Sequence, residues 1–228
     1  MNLESDTEQS KRGIYIVLLS IHGLIRGENL ELGRDADTGG QTIYVVELAR
    51  ALGQHPDVAR VDLVTRLIDD SNVDPDYAKP QEALSPKAQI IRIRCGEDGY
   101  LPKEELWDCL DSFSDNLLGF LNEQGEKPDI IHSHYADAGY VGVSLVNQLG
   151  IPLVHTGHSL GRSKRRRLLA GGMKGSEIES RYNMKRRINA EESTLGVADY
   201  VITSTHQEVE DQYGLYDYYQ PEQMRVVP

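Results

Sequence analysis

A histidine, a hydroxyl and a run of cations stand together in one stretch. It begins His155-Thr156-Gly157-His158-Ser159 and continues through Arg162 to Lys164-Arg165-Arg166-Arg167. The apolar residues before it, from Ile151 to Val154, read as a short buried strand. The group therefore sits in a loop past the carboxyl end of a strand, where open α/β sheets bind ligands. In an acidic chain a local run of cations suits a phosphate or another anion. The competing reading is a solvated charged face, the usual fate of such a run, and spacing does not decide between them. Arg186-Arg187 poses the same choice: with Lys164 these residues can clamp one phosphate through charge-assisted hydrogen bonds, or they can pair with Glu191 and Glu192 on a helix surface.

Two further groups carry chemistry. Asp37-Thr38-Gly39-Gly40-Gln41 lies between a strand and a helix. Paired glycines let a backbone approach a ligand, and the helix start offers free N–H groups to an anion. On this motif alone the favoured reading is a tight turn with Thr38 as N-cap. It is not the dinucleotide fingerprint, because no G-x-G-x-x-G follows the strand. His132-Ser133-His134-Tyr135-Ala136-Asp137 closes another strand. His132 and His134 point to one face at period two, His132 reading as a buried, hydrogen-bonded strand residue, while Tyr135 and Asp137 lie at the carboxyl end. No metal site is expected, since the histidine spacings match no recurrent ligand pattern.

These groups need a scaffold. Apolar runs over 14–20, 61–65, 90–94, 129–133, 151–155, 200–203 and 225–227 predict seven strands. Helical spacing predicts helices over 40–52, 102–122, 138–149, 176–195 and 206–213, the second opened by Pro102. Pro75, Pro80 and Pro86 mark 69–88 as a loop or irregular excursion. Strands alternating with helices predict a doubly wound α/β fold with a parallel sheet, Rossmann-like, over residues 13–228, behind a frayed tail at 1–12.

The formal net charge of −12 argues against nucleic acid and against an anionic membrane surface as partners. No window reaches the ~18 apolar residues of a membrane span, and the polar start lacks a signal-peptide core. Cys95 and Cys109 read as too few and too far apart for a redox pair or zinc site. A cytoplasmic protein with both thiols reduced is expected.

Taken together, Asp37–Gln41, Leu101-Pro102-Lys103-Glu104-Glu105-Leu106-Trp107, His134–Gly139 and Thr156–Arg162 resemble the sucrose-phosphate synthase family, especially its cyanobacterial and plant forms. Ser204–Glu210 followed by Gln212-Tyr213 fits the same pattern, so the resemblance runs from Ile14 to Pro228. Related sucrose synthases share the Gly-Gly-Gln region but carry alanine where Ser159 stands. The resemblance implies the N-terminal, acceptor-binding half of a two-domain GT-B retaining glycosyltransferase, which transfers glucose from UDP-glucose to fructose 6-phosphate. The C-terminal, donor-binding domain has no counterpart here, so independent catalysis is not expected.

Roles are implied residue by residue. Gly39 and Gly40 approach the donor diphosphate and the acceptor, and Gln41 contacts the fructose. Lys103 and Tyr135 hold sugar hydroxyls, and Asp137 orients the site. His158 is the catalytic candidate, at the transferred glucose, its backbone helping to stabilise developing charge. Ser159, Lys164 and Arg187 bind the fructose phosphate, with Arg186 as a further ligand. No cofactor or catalytic metal is implied, the nucleotide sugar being a substrate. Two alternatives stand beside this: a sucrose synthase-like enzyme using free fructose, and a non-catalytic sugar-phosphate binding module.

Overall fold

The computed structural model describes residues 12–228. The expected tail lies outside the described residues except for Arg12, whose guanidinium donates to the Lys127 carbonyl. Strands β1 (Ile14–Leu19), β2 (Val58–Arg66), β3 (Gln81–Ser85), β4 (Ala88–Ile93), β5 (Ile130–His134), β6 (Leu153–Thr156), β7 (Tyr200–Thr203) and β8 (Met224–Val226) form one sheet in the order 3-4-2-1-5-6-7-8. Every pairing is parallel except β3 with β4. From β1 the chain winds outward through β2 and β4, then returns to β5 on the other side of β1. That reversal opens a crevice at the carboxyl ends of β1 and β5.

Helices cover both faces. α1 (Gly40–Gln54) lies on one; α2 (Leu110–Gln124), α3 (Ala136–Leu149) and α6 (Met184–Val197) lie on the other. β1 shows how period-two geometry divides the core. Its Ile16 and Leu18 pack with Val45, Val46 and Ala49 of α1. Its Tyr15, Val17 and Leu19 pack with Phe113, Leu117 and Val141 of α2 and α3. Because both faces are buried, the strand reads as an uninterrupted apolar run.

The parallel core follows the sequence expectation; its margins depart from it. The excursion over 69–88 contains β3, an antiparallel edge strand bracketed by Pro80 and Pro86, with only Leu84 fully buried. One buried side chain in five residues leaves no periodic signal, and prolines flank edge strands readily. The helix expected from Pro102 begins instead at Leu110, after a 3-10 turn over Leu106–Asp108. The basic run expected in a loop is helical, as α4 (Gly161–Ala170). The helix expected over 176–195 is two: α5 (Gly175–Tyr182) and α6 meet at Asn183, whose φ of 48° and ψ of 40° stop one and start the other. The last helix, α7 (His206–Asp211), is capped by Thr205 Oγ1 accepting from the Glu208 amide at 3.0 Å. No helix among the described residues is long and apolar enough to cross a membrane.

The cysteines also depart from expectation. Fourteen positions apart in sequence, their sulfurs lie 2.9 Å from each other in the core, so the fold closes the distance that the spacing suggested.

Candidate functional site

The crevice is lined by loops from three strand ends. After β1 the chain runs through Ser20 and His22, then returns at Asp37 to enter α1. Thr38 is not the N-cap: its Oγ1 accepts from the Leu24 amide at 3.1 Å and donates to Asp35, pinning the loop. Gly39 holds the cap position, with no side-chain cap and no acidic residue in the first turn. A Cβ built on Gly39 or Gly40 would meet nothing within 4 Å. Both glycines therefore face open space, and the helix start presents unblocked N–H groups with the positive end of the helix dipole. Gln41 turns inward, its amide donating to Ser20 Oγ at 3.1 Å.

The ends of β5 and β6 carry unusual backbone. Tyr135 has φ 79° and His158 has φ 55°, conformations that non-glycine residues rarely adopt. Sharp turns at both strand ends aim these side chains into the crevice. Tyr135 stands edge-on to His22, with ring centroids 4.6 Å apart, and His22 Nδ1 lies 2.7 Å from Asp137 Oδ2. Asp137 also accepts from the Ala138 amide at 2.6 Å, so it orients His22 from the first turn of α3.

His158 belongs to a histidine ladder. Its Nε2 is 3.0 Å from His134 Nδ1, and the rings of His134 and His132 lie 4.1 Å apart. His132 Nε2 meets Thr156 Oγ1 at 2.8 Å, which anchors the ladder in the sheet. Burial, followed by neighbouring imidazoles, drives these groups toward neutrality: His132 is lowered to about 3, His158 to about 4, and His134 falls well below its ordinary value. His158 thus meets the crevice as a neutral ring, its Nε2 already engaged.

Opposite stands a cationic wall. Arg187, buried in α6, donates from Nη2 to the Ser159 carbonyl at 2.6 Å and from Nε to Glu191 Oε1 at 2.9 Å, and lies 4.6 Å from the Tyr135 ring centroid. Glu191 also accepts from the Gly161 amide and from Tyr216 Oη, tying the start of α4 to α6. Lys164, one turn into α4, packs its ammonium 4.0 Å from the Tyr182 ring centroid, and no carboxylate pairs with it among the described residues. Burial, then the Arg187 charge, lowers its affinity for a proton. Lys103 completes the wall: Asp37 accepts from its amide at 2.8 Å and pairs with its ammonium.

The resulting cavity holds about 430 Å³ and brings together Gly39, Gly40, Gln41, Lys103, Tyr135, His158, Ser159, Lys164 and Arg187. Asp137 stands behind it through His22. Arg186 does not reach it: one position before Arg187 in α6, it turns outward to Asp108 at 2.5 Å and to the Trp107 carbonyl. Four lining residues had no role assigned from sequence: His22, Ala36, Asp37 of the glycine motif and Arg167 of the basic run. His22 had a signal, lying just beyond the first strand's carboxyl end; Arg167 had none to separate it from Arg165 and Arg166. The pairing weighed for Arg187 on a surface exists with Glu191, but buried. Among the described residues no group of three or more His, Cys, Asp or Glu is disposed to hold a metal ion.

The comparisons with known proteins bear on the family and the fold. The family profile "Sucrose synthase first GT-B domain" matches residues 3–227. Sucrose-phosphate synthase 4 of Arabidopsis thaliana is 49% identical over 239 residues, covering 95% of this chain and 23% of the relative. The sucrose-phosphate synthase of Zea mays is 48% identical, covering 93% and 22%. The chain therefore spans about a quarter of the length of these curated relatives. Among solved structures, sucrose-phosphate synthase from Thermosynechococcus elongatus superposes with a TM-score of 0.72 at 28% identity, over 94% of this chain and 48% of that one. The catalytic domain of starch synthase IV from Arabidopsis thaliana, at 17% identity and TM-score 0.57, shares the fold. This chain belongs to the family of sucrose synthase-type first GT-B domains, a Rossmann-like α/β fold homologous to the N-terminal domain of plant and cyanobacterial sucrose-phosphate synthases.

Proposed function

We propose that this chain is the acceptor-binding half of a hexosyltransferase. It holds fructose 6-phosphate and, with a donor-binding GT-B domain, receives glucose from UDP-glucose to give sucrose 6-phosphate. The observation that carries this reading is Lys164 beside Arg187. Two cations share one wall, and Lys164 has no paired carboxylate among the described residues. A phosphate there relieves their repulsion and gains charge-assisted hydrogen bonds, with Ser159 as a neutral donor.

The remaining residues fit the parts around it. The unblocked start of α1 at Gly39 and Gly40 suits the donor diphosphate. Gln41, Tyr135 and Lys103 offer hydrogen bonds to hydroxyls. His158 faces the transferred glucose as a neutral imidazole, beside a backbone turned sharply toward the crevice. Among the described residues the carboxylates in and behind the cavity are engaged: Asp37 is held by Lys103 and Asp137 by His22. This favours a reaction in which the leaving phosphate accepts the acceptor's proton. An unphosphorylated fructose acceptor leaves the cationic wall without a purpose.

Calorimetric titration with fructose 6-phosphate and with fructose tests the clamp. One charge-assisted contact contributes roughly 1.5–3 kcal/mol. Lys164→Ala should therefore weaken fructose 6-phosphate about ten- to a hundredfold, with little effect on fructose. Arg186→Ala, outside the cavity, should match the parent. If Lys164→Ala binds the phosphorylated sugar as the parent does, the clamp is wrong.

A further inference from the structure

We propose that Cys95 and Cys109 form a reversible dithiol–disulfide pair, a modification site that governs the mobility of the segment carrying Lys103. Cys95 follows β4, and Cys109 sits at the N-cap of α2. Their sulfurs lie 2.9 Å apart, so a disulfide bond of about 2.05 Å needs a contraction of under an ångström. The residue that follows Cys95 makes this approach possible. Gly96 has φ 63°, and a Cβ there would stand 3.0 Å from Cys109 Cβ and 3.3 Å from its sulfur. Any larger residue at 96 pushes Cys109 away from Cys95.

The surroundings also favour reaction. The shared hydrogen bond, then burial, leaves Cys95 a poor acid, whereas the same bond and the Arg66 cation lower the Cys109 thiol. Cys109 keeps the greater exposure of the two, 8% against 4%. It is the attacking sulfur, and Cys95 the resolving one. With a low-molecular-weight disulfide as oxidant, the Cys109 thiolate attacks one of its sulfurs. A mixed disulfide forms, and the first small thiolate leaves with the proton that Cys109 gave up. Cys95 then loses its proton to the second departing thiolate and attacks the Cys109 sulfur. Two protein thiols are oxidised, and one small disulfide is reduced to two thiols.

The closed loop is residues 96–108, free of strand and containing only the 3-10 turn before α2. Its far end is anchored in the core by Leu106 and Trp107, while residues 96–100 are held by polar contacts. Arg66 donates to the Cys95 carbonyl at 3.1 Å and to the Gly99 carbonyl at 2.7 Å, and the Tyr100 amide donates to Asp70. Lys103, within this loop, reaches the cavity wall and Asp37. A covalent tie at the loop's two ends removes its open conformations without moving Lys103 far.

The test equilibrates the 228-residue chain in glutathione disulfide buffers, followed by thiol titration in denaturant, peptide mapping and hydrogen exchange. The expected result is joint loss of both thiols, a Cys95–Cys109 peptide cross-link without retained glutathione, and slower exchange over 96–108 that dithiothreitol reverses. In Cys95→Ser, glutathione should stay trapped on Cys109. Two thiols that persist in the parent, a stable glutathione adduct on either cysteine of the parent, or a cross-link that leaves exchange over 96–108 unchanged would each overturn the proposal. The parent's readouts decide the matter even where the variant does not fold, and none depends on which sugar the cavity holds.

Discussion

The imidazoles at the carboxyl edge of the sheet show what burial does to a titrating side chain. His155, packed against Ser133 Oγ at 2.9 Å, joins the ladder in being held neutral, lowered to about 3 chiefly by burial. An unfolded imidazole titrates near 6.5, so between that value and the folded ones the unfolded chain binds more protons. The ladder's stability is complete above about pH 6.5 and is lost as pH falls toward 4 and then 3. Each imidazole then contributes a slope of up to about 1.4 kcal/mol per pH unit. Urea denaturation at pH 7, 6 and 5 should show stability falling with pH, and His155→Asn should flatten that dependence. A stability unchanged between pH 7 and 5 would remove the claim that these rings are neutral.

At the scale of elements, the junction of α5 and α6 decides which arginine lines the cavity. An unbroken helix over 176–195 is what helical spacing alone suggests, and it leaves the facing of Arg186 and Arg187 open. Asn183 interrupts it in the left-handed region, resets the helix direction and puts Arg187 inside. Asn tolerates that conformation better than other non-glycine residues, while a β-carbon without a local hydrogen bond costs about 1–2 kcal/mol there. Asn183→Ala should therefore destabilise by roughly that amount and Asn183→Gly by less, read from chemical denaturation midpoints. Equal midpoints for the two variants would mean that the junction is not held by backbone conformation. The break was legible only as an asparagine within a polar run, because neither α5 nor α6 carries a strong apolar stripe from which a change of phase can be seen. The strand β3 was missed for a related reason: an edge strand with one buried residue needs no alternation.

For the whole molecule, charge and shape divide the labour. A chain of net charge −12 concentrates Lys103, Lys164, Arg167 and Arg187 around one crevice, so the acidic exterior leaves a local positive field for an anion. On the proposed function, the crevice is one wall of a reaction site. Glycosyl transfer needs both reactants held in one geometry. Given UDP-glucose and fructose 6-phosphate, the 228-residue chain should bind the sugar phosphate yet form no sucrose 6-phosphate in a coupled assay for UDP release. Robust turnover by this chain alone would show that a donor-binding domain is not required.

The sequence by itself determined the parallel core, because strands buried on two faces must be apolar throughout and their helices must show period 3.6. It also marked the strand ends where Tyr135 and His158 stand, since polar residues abruptly follow apolar runs there, and the glycine pair that opens α1. The motif resemblance carried the family. Tertiary structure alone decided which cations face the crevice. Lys164, Arg167, Arg186 and Arg187 are alike as residue types, and only the start of α4 at Gly161 and the turn at Asn183 sort them. It alone brought Cys95 to Cys109, and His134 to His158, because sulfur and ring-nitrogen distances depend on how loops close, and local spacing along a chain carries no information about that.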